Sequence, residues 1–213
     1  MLYCITRRSS TRLRRWTVCK SRLCGFAAQK IIHKATTYKL PLYAALEIQM
    51  NIVLRKLTKT DLPAFSMLWQ FYQYHQSAFD NEDIDSSGRF DIDEEYLSDV
   101  AAGEEDCDAY IIFVEDNIAG FVTVEPTEIL DREMPELSDI FILPKYRSKG
   151  IAMHAVSQLM LNNLVHWHVA VYEKDREALK FWDRLFARLA NVDVMKVVPP
   201  ETEGFHEYVI TNA

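Results

Sequence analysis

Cysteine is scarce in this sequence. Cys4, Cys19, Cys24 and Cys107 are the whole set, and no two of them stand in a CxxC arrangement. That excludes a cysteine zinc site or a disulfide framework as the organising device, and a reducing, intracellular setting fits best. No apolar run reaches the roughly 18 residues that a membrane-spanning helix needs. Internal repeats and low-complexity tracts are missing as well. Acid is nearly missing from the first fifty residues, where ten Lys and Arg face the single acid Glu47. Base is nearly missing from Asp80 to Asp108, where thirteen acids surround Arg89 alone.

What is present points to one domain with an appendage. Of 213 residues, 49% are hydrophobic and 26% charged, enough for a sizeable core and too apolar for disorder throughout. Residues 1–50 carry a charge of +9 and the remainder −16, giving the overall −7. An acidic body repels phosphate, which argues against nucleic acid as the main partner and suits a cationic one. Composition turns at Met50, just before a strand-like run, so the expected division is 1–49 as a basic, disordered extension and 50–213 as the domain. The extension reads either as a start placed too early or as a transit-like, Arg-rich leader. A cytoplasmic location is expected, with organelle import only in the second case.

The body spells out its elements by periodicity. Asn51–Leu57 reads as a strand. Thr60-Asp61 can cap a helix whose first turn tolerates Pro63 and whose buried stripe holds Leu68, Trp69, Phe71, Tyr72 and His75. After the acidic loop from Asp80 to Asp93 comes a helix over Glu94–Ala102. Ala109–Glu115 and Ile118–Val124 read as a hairpin turning at Asp116-Asn117. Further strands are expected over Leu137–Leu143, His168–Tyr172, Val192–Val198 and Phe205–Ile210, and helices over Gly150–Leu164 and Arg176–Leu189. The order is β-αα-βββ-α-β-α-ββ, an α/β (α+β) domain with a mixed sheet and helices on both faces.

Between a strand and a helix lies Pro144-Lys-Tyr-Arg147-Ser148-Lys149-Gly150-Ile151-Ala152. Amides at a helix start lack acceptors and the helix dipole is positive there, so such a turn can cradle a pyrophosphate. Gly150 lets the main chain approach phosphates without a Cβ, Ala152 keeps the next turn small, and Arg147 and Lys149 add charge. The bland alternative is an ordinary strand–turn–helix connection. A second stretch runs Asp175-Arg-Glu-Ala178-Leu-Lys-Phe181-Trp182, which also reads as a helix capped by Asp175 with Phe181 in the core.

Together these stretches resemble the GNAT superfamily of N-acetyltransferases. The first matches its Arg/Gln-x-x-Gly-x-Gly/Ala loop at Arg147, Gly150 and Ala152. The second matches Asn-x-x-Ala-x-x-Phe-Tyr at Ala178 and Phe181, with Asp175 for Asn and Trp182 for Tyr. The resemblance implies a mostly antiparallel GNAT-like sheet, acetyl-CoA as co-substrate, and direct transfer of acetyl to a small-molecule or peptidyl amine. It implies that the Arg147–Ala152 loop, the backbone of Phe141, Ile142 and Leu143, and the Asp175, Phe181 and Trp182 region bind the CoA. It also implies a carboxylate that deprotonates the amine, Asp139 first, then Glu136 and Glu125. Relatives commonly protonate the leaving thiolate with tyrosine where this chain has Trp182, so either Tyr172 or Tyr146 takes over or the thiolate leaves unprotonated. A GNAT-fold module that binds CoA without turnover is the alternative.

The acidic loop nearly reproduces a calcium-binding pattern, with Asp83, Asp85, Ser87, Asp91 and Glu94 at ligand positions and Gly88 between them. No second, pairing loop exists, so a cation-attracting acceptor rim is the preferred reading, followed by a solvated loop and then calcium. His75, His154, His166, His168 and His206 show no metal-ligand spacing, and no metal is expected. No nucleic-acid or membrane partner is expected; a homodimer is left open.

Overall fold

The computed structural model describes residues 50–79, 81–160, 166–189 and 192–212, and the backbone of a strand at Tyr3–Ile5. Apart from that strand, the extension expected over residues 1–49 lies outside the described residues. The expected run of helix to Leu164 also lies outside them beyond residue 160.

The elements are β1 (Tyr3–Ile5), β2 (Ile52–Lys56), α1 (Leu62–Gln76), α2 (Glu94–Ala102), β3 (Asp108–Val114), β4 (Asn117–Ile129) and β5 (Arg132–Ile142). There follow α3 (Ile151–Met160), β6 (Trp167–Tyr172), α4 (Arg176–Phe186), β7 (Val192–Lys196) and β8 (Phe205–Asn212). One sheet runs β2-β3-β4-β5-β6-β8-β7, with β1 alongside β5. Every pairing is antiparallel except β5 with β6. This is the mixed sheet the element order implied, with the mostly antiparallel pairing the resemblance implied.

Aromatic packing fixes the two faces. Phe65, Trp69 and Tyr72, on one side of α1, all pack their rings on Phe121 of β4. Tyr72 also meets Phe141 of β5. Burying side chains of this size stabilises by roughly 1.5–3 kcal/mol each, which seats α1 firmly over β4 and β5. Phe186 of α4 instead packs on Tyr208, 4.9 Å between centroids. Tyr208 is paired with Val169, whose β6 neighbour His168 points the opposite way, toward the α1 side. Thus α1 and α4 clothe opposite faces of the sheet.

One hairpin is longer than its hydrophobic pattern suggested. The expected strands stopped at Val124 and resumed at Leu137, whereas β4 runs on to Ile129 and β5 starts at Arg132. In this extension Pro126 sits opposite Pro135. The ribbon survives two prolines because β3 ends its pairing at Val124 and β6 meets β5 only at Glu136. Among the described residues, each proline therefore stands on a strand that is an edge at that point, where a missing N–H costs no ladder bond. The expected helix over Arg176–Leu189 ends at Phe186, and the strand from Val192 ends at Lys196.

Candidate active site

The parallel neighbours β5 and β6 part almost as soon as they meet. Their register consists of one pair, Glu136 opposite His168. Beyond it β5 continues through Ser138, Asp139, Ile140 and Phe141 with its far edge facing a split in the sheet. Continuing the register would bring Tyr172 level with Ile140 across that gap. A register shift between Thr123 and Val124 lets Ser138 bulge, which turns β5 where it leaves β6. Gly120 makes the bend sterically possible, because a Cβ there would lie 1.9 Å from the Phe141 carbonyl oxygen.

At the end of β5 the chain enters the turn singled out in the sequence. Leu143 donates its amide to the Ala119 carbonyl, so this amide is already taken. Ser148 and Gly150 adopt left-handed backbone, φ 58° and 79°. Gly150 carries the main chain into α3, and its carbonyl accepts from His154 N. The first-turn amides of Ile151, Ala152 and Met153 therefore lack acceptors within the helix. Arg147 folds back, donating Nε to the Ile142 carbonyl at 2.7 Å, which staples the turn to β5. Lys149 lies over the Tyr146 ring. Ile151 and Ala152 are buried beneath the turn.

On the α1 face of the same strand lies a line of acids. Asp139 is buried and accepts from Tyr72 Oη at 2.6 Å and from Thr123 Oγ1 at 3.1 Å. Burial pushes its carboxyl up to about 7; the Tyr72 bond opposes the shift, and the neighbouring Glu125 and Glu136 charges add to it. Glu136, also buried, has Oε2 3.3 Å from His168 Nδ1, out of line for a hydrogen bond. Glu125 stands opposite Glu136 in the ladder and accepts from Tyr96 Oη of α2. Burial pushes the Tyr96 phenol upward and the nearby Cys107 thiol up to about 12, so Cys107 stays a thiol and makes a poor nucleophile.

A sequence model described as "Acetyltransferase (GNAT) family" matches residues 65–186, more than half the chain and the whole of the site just described. This protein belongs to the GNAT acetyltransferase family. No curated protein matches the chain by sequence. Among solved structures it is similar to a domain from Methanocaldococcus jannaschii, at 18% identity and a TM-score of 0.53, covering 76% of this chain and 99% of that one. It is also similar to an acetyltransferase from Thermus thermophilus, at 14% identity and a TM-score of 0.51, covering 74% and 95%. At these identities the likeness speaks for the fold.

In this GNAT domain the second motif is built into the scaffold. Asp175 is buried and caps α4, accepting from Glu177 N at 3.0 Å and Ala178 N at 2.8 Å, with His75 Nε2 3.4 Å from its other oxygen. Phe181 and Trp182 are buried in an aromatic cluster with Phe186, Phe181 edge-on to Trp182. Tyr172 is half-buried and packs between Phe79 and Phe205.

A cavity of about 800 Å³ opens at the far end of the acid line, with Glu125 on its wall. Glu105, Asp106, Asp108 and Glu133 also line it, against Lys56 and Lys59. Both lysines are paired, Lys56 with Asp108 at 2.6 Å and Lys59 with Glu104 at 3.6 Å, which leaves negative charge in excess. The acidic segment is thereby divided. Its later part lines the cavity, while its earlier part is bound up in its own loop. Asp85 accepts from Ser87 N, Ser87 Oγ and Arg89 N, and Glu94 is held by Ser66 and Arg89. Among the described residues, no three His, Cys, Asp or Glu side chains converge as a metal site would require.

Sequence reasoning missed His168 and Tyr96, both set aside as ordinary residues or not noticed. An isolated histidine in a strand and a tyrosine in a helix carry no spacing signal; only the register of β5 with β6 and the packing of α2 reveal them.

Proposed function

We propose that the protein moves an acetyl group from acetyl-CoA to a primary amine of a cationic small-molecule or peptidyl acceptor, by direct transfer with Asp139 as general base. The observation that carries this reading is the Asp139 carboxyl itself, buried beside the split and poised near pH 7. The donor fits the residues present. The first-turn amides of α3, with Arg147, Lys149 and left-handed Gly150, suit the pyrophosphate, and the edge of β5 at Ile140 and Phe141 suits an amide-bearing arm. When bound, acetyl-CoA supplies an acyl thioester that a neutral amine can take.

An alkyl ammonium has a pKa near 10, so handing its proton to Asp139 costs roughly three pKa units, about 4 kcal/mol. That is modest against the roughly 7–11 kcal/mol that positioning two reactants can supply. Tyr72 and Thr123 hold the carboxylate still while it accepts the proton. Glu125 and the cavity acids draw the cation inward, and Glu136 is the next carboxylate along the same face. Tyr172, the last residue of β6, is assigned the return of a proton to the leaving sulfur.

The test is release of free thiol from acetyl-CoA by the full chain, across polyamines, amino sugars, amino acids and peptides, between pH 6 and 9. Amine-dependent release that rises through pH 7 and is lost in Asp139→Asn is expected. CoA binding without release for any amine would leave a CoA-binding module and overturn the enzymatic reading.

A further inference from the structure

The edge of β5 that faces the split has an occupant from the chain's own beginning. β1 pairs antiparallel with it, Tyr3 opposite Phe141, Cys4 opposite Ile140 and Ile5 opposite Asp139. The same strand touches β6 and α4, so it lies within the split between the two halves of the sheet. The geometry explains the choice of place. Where β5 and β6 diverge after Glu136 and His168, β6 no longer covers the edge of β5, and β1 pairs with it there instead. Any extended backbone can add to such an edge.

We propose that Tyr3–Ile5 is an intramolecular competitor for the acyl-donor seat, so that the basic extension regulates access of CoA to the enzyme. The inference rests on the reading that the donor's amide-bearing arm runs along Ile140 and Phe141. One edge offers one set of hydrogen-bonding groups, and two extended chains cannot both take it. Because the competitor is covalently attached, its effective concentration is fixed by the chain and independent of protein concentration. The apparent CoA affinity of the full chain is the intrinsic affinity reduced by the fraction of molecules whose split is open; an occupancy of about nine in ten weakens binding about tenfold.

Proline substitution tests this in the full chain, since it removes an N–H and disfavours pairing. Neighbouring residues of an antiparallel strand point their N–H groups to alternate sides, so Cys4→Pro and the double variant Tyr3→Pro/Ile5→Pro between them remove whichever amides face β5. Titrating CoA calorimetrically, one of the two should bind about tenfold more tightly than the wild type, with an unchanged melting temperature for the body. Without CoA, whichever of the Ile140 and Phe141 amides faces β1 should exchange faster in that variant than in the wild type. Equal CoA affinity in all three proteins, or equal exchange, overturns the proposal. If CoA binds none of them while that amide is more protected in the wild type than in that variant, β1 is in place and the donor seat was assigned wrongly. That outcome sinks the competition together with the proposed function.

Discussion

The two flanks of β5 differ in kind. The flank under α1 offers side chains: a buried aspartate with two hydroxyl donors, a glutamate beside a histidine, and a second glutamate tied to a tyrosine. The flank toward β6 offers main chain: the edge at Asp139–Phe141 and the helix-start amides that follow Gly150. Side-chain chemistry suits proton transfer, which needs a particular pKa, whereas main chain suits holding a long amide- and phosphate-bearing donor. On the proposed function, a single strand divides base from seat, and each flank can be damaged separately.

Gly120 is the exception, because it underlies both. A side chain there meets the Phe141 carbonyl oxygen at 1.9 Å, and main chain cannot step aside as a flexible side chain would. Gly120→Val should cost on the order of 4 kcal/mol or more, or abolish folding, as read by urea denaturation. A loss below about 1 kcal/mol would mean that the bend at β4 and β5 is not as tight as described.

Asp139→Asn should break the α1 flank alone. Loss of a general base lowers kcat/KM by about 10²–10⁴, with CoA affinity retained. Stability should move the other way. The folded carboxyl sits near 7, above its unfolded value near 4, so the fold prefers the protonated form. Stability from this group is therefore full below about pH 4 and falls as pH rises toward 7. At pH 8 the neutral amide avoids that cost, and the variant should be more stable than the wild type by on the order of 1–4 kcal/mol. Parallel loss of stability and rate would identify Asp139 as a structural residue instead.

Gly150→Val should break the β6 flank at its far end. Gly150 has φ 79°, a conformation that a β-branched residue adopts only under strain, and its replacement tilts the first-turn amides. At saturating CoA the wild type should gain a few kcal/mol of stability, and the variant should lose most of that gain while its thiol-release pH profile keeps its midpoint. A full CoA-dependent melting shift in the variant would remove the turn from the donor seat.

How legible each flank was follows from the same division. The turn at Arg147–Ala152 could be read because a glycine spacing between strand and helix encodes local backbone geometry. Asp139 could be suspected through the family resemblance, as an acid on the strand expected to lie beside the thioester. Its partners could not: Tyr72 lies 67 residues away, and that contact exists only through the docking of α1. The extended β4–β5 hairpin was hidden by Pro126, Pro135 and the acids scattered between them, which read as loop until the strands are known to be edges there. β1 was unreadable for a different reason. Three residues carry no period, and their pairing depends on an edge created elsewhere.

The smallest expected effect concerns how the acceptor arrives, and it separates the two parts of the acidic segment. Long-range attraction works over about 8 Å at physiological ionic strength, so only charge near the cavity should matter. Glu105 and Asp106 line it, and Glu125 on its wall connects it to the acid line ending at Asp139. Asp83 and Asp91 lie before the start of α2, whose nine residues put roughly 13 Å between its ends. Neutralising Glu105 and Asp106 to Gln and Asn should raise KM for a cationic amine about two- to fivefold, leave KM for acetyl-CoA unchanged, and flatten the dependence on added salt. The same change at Asp83 and Asp91 should alter neither. If the second pair matters more than the first, the acceptor enters beside the α1–α2 loop, and the cavity at Glu125 is not its route to Asp139.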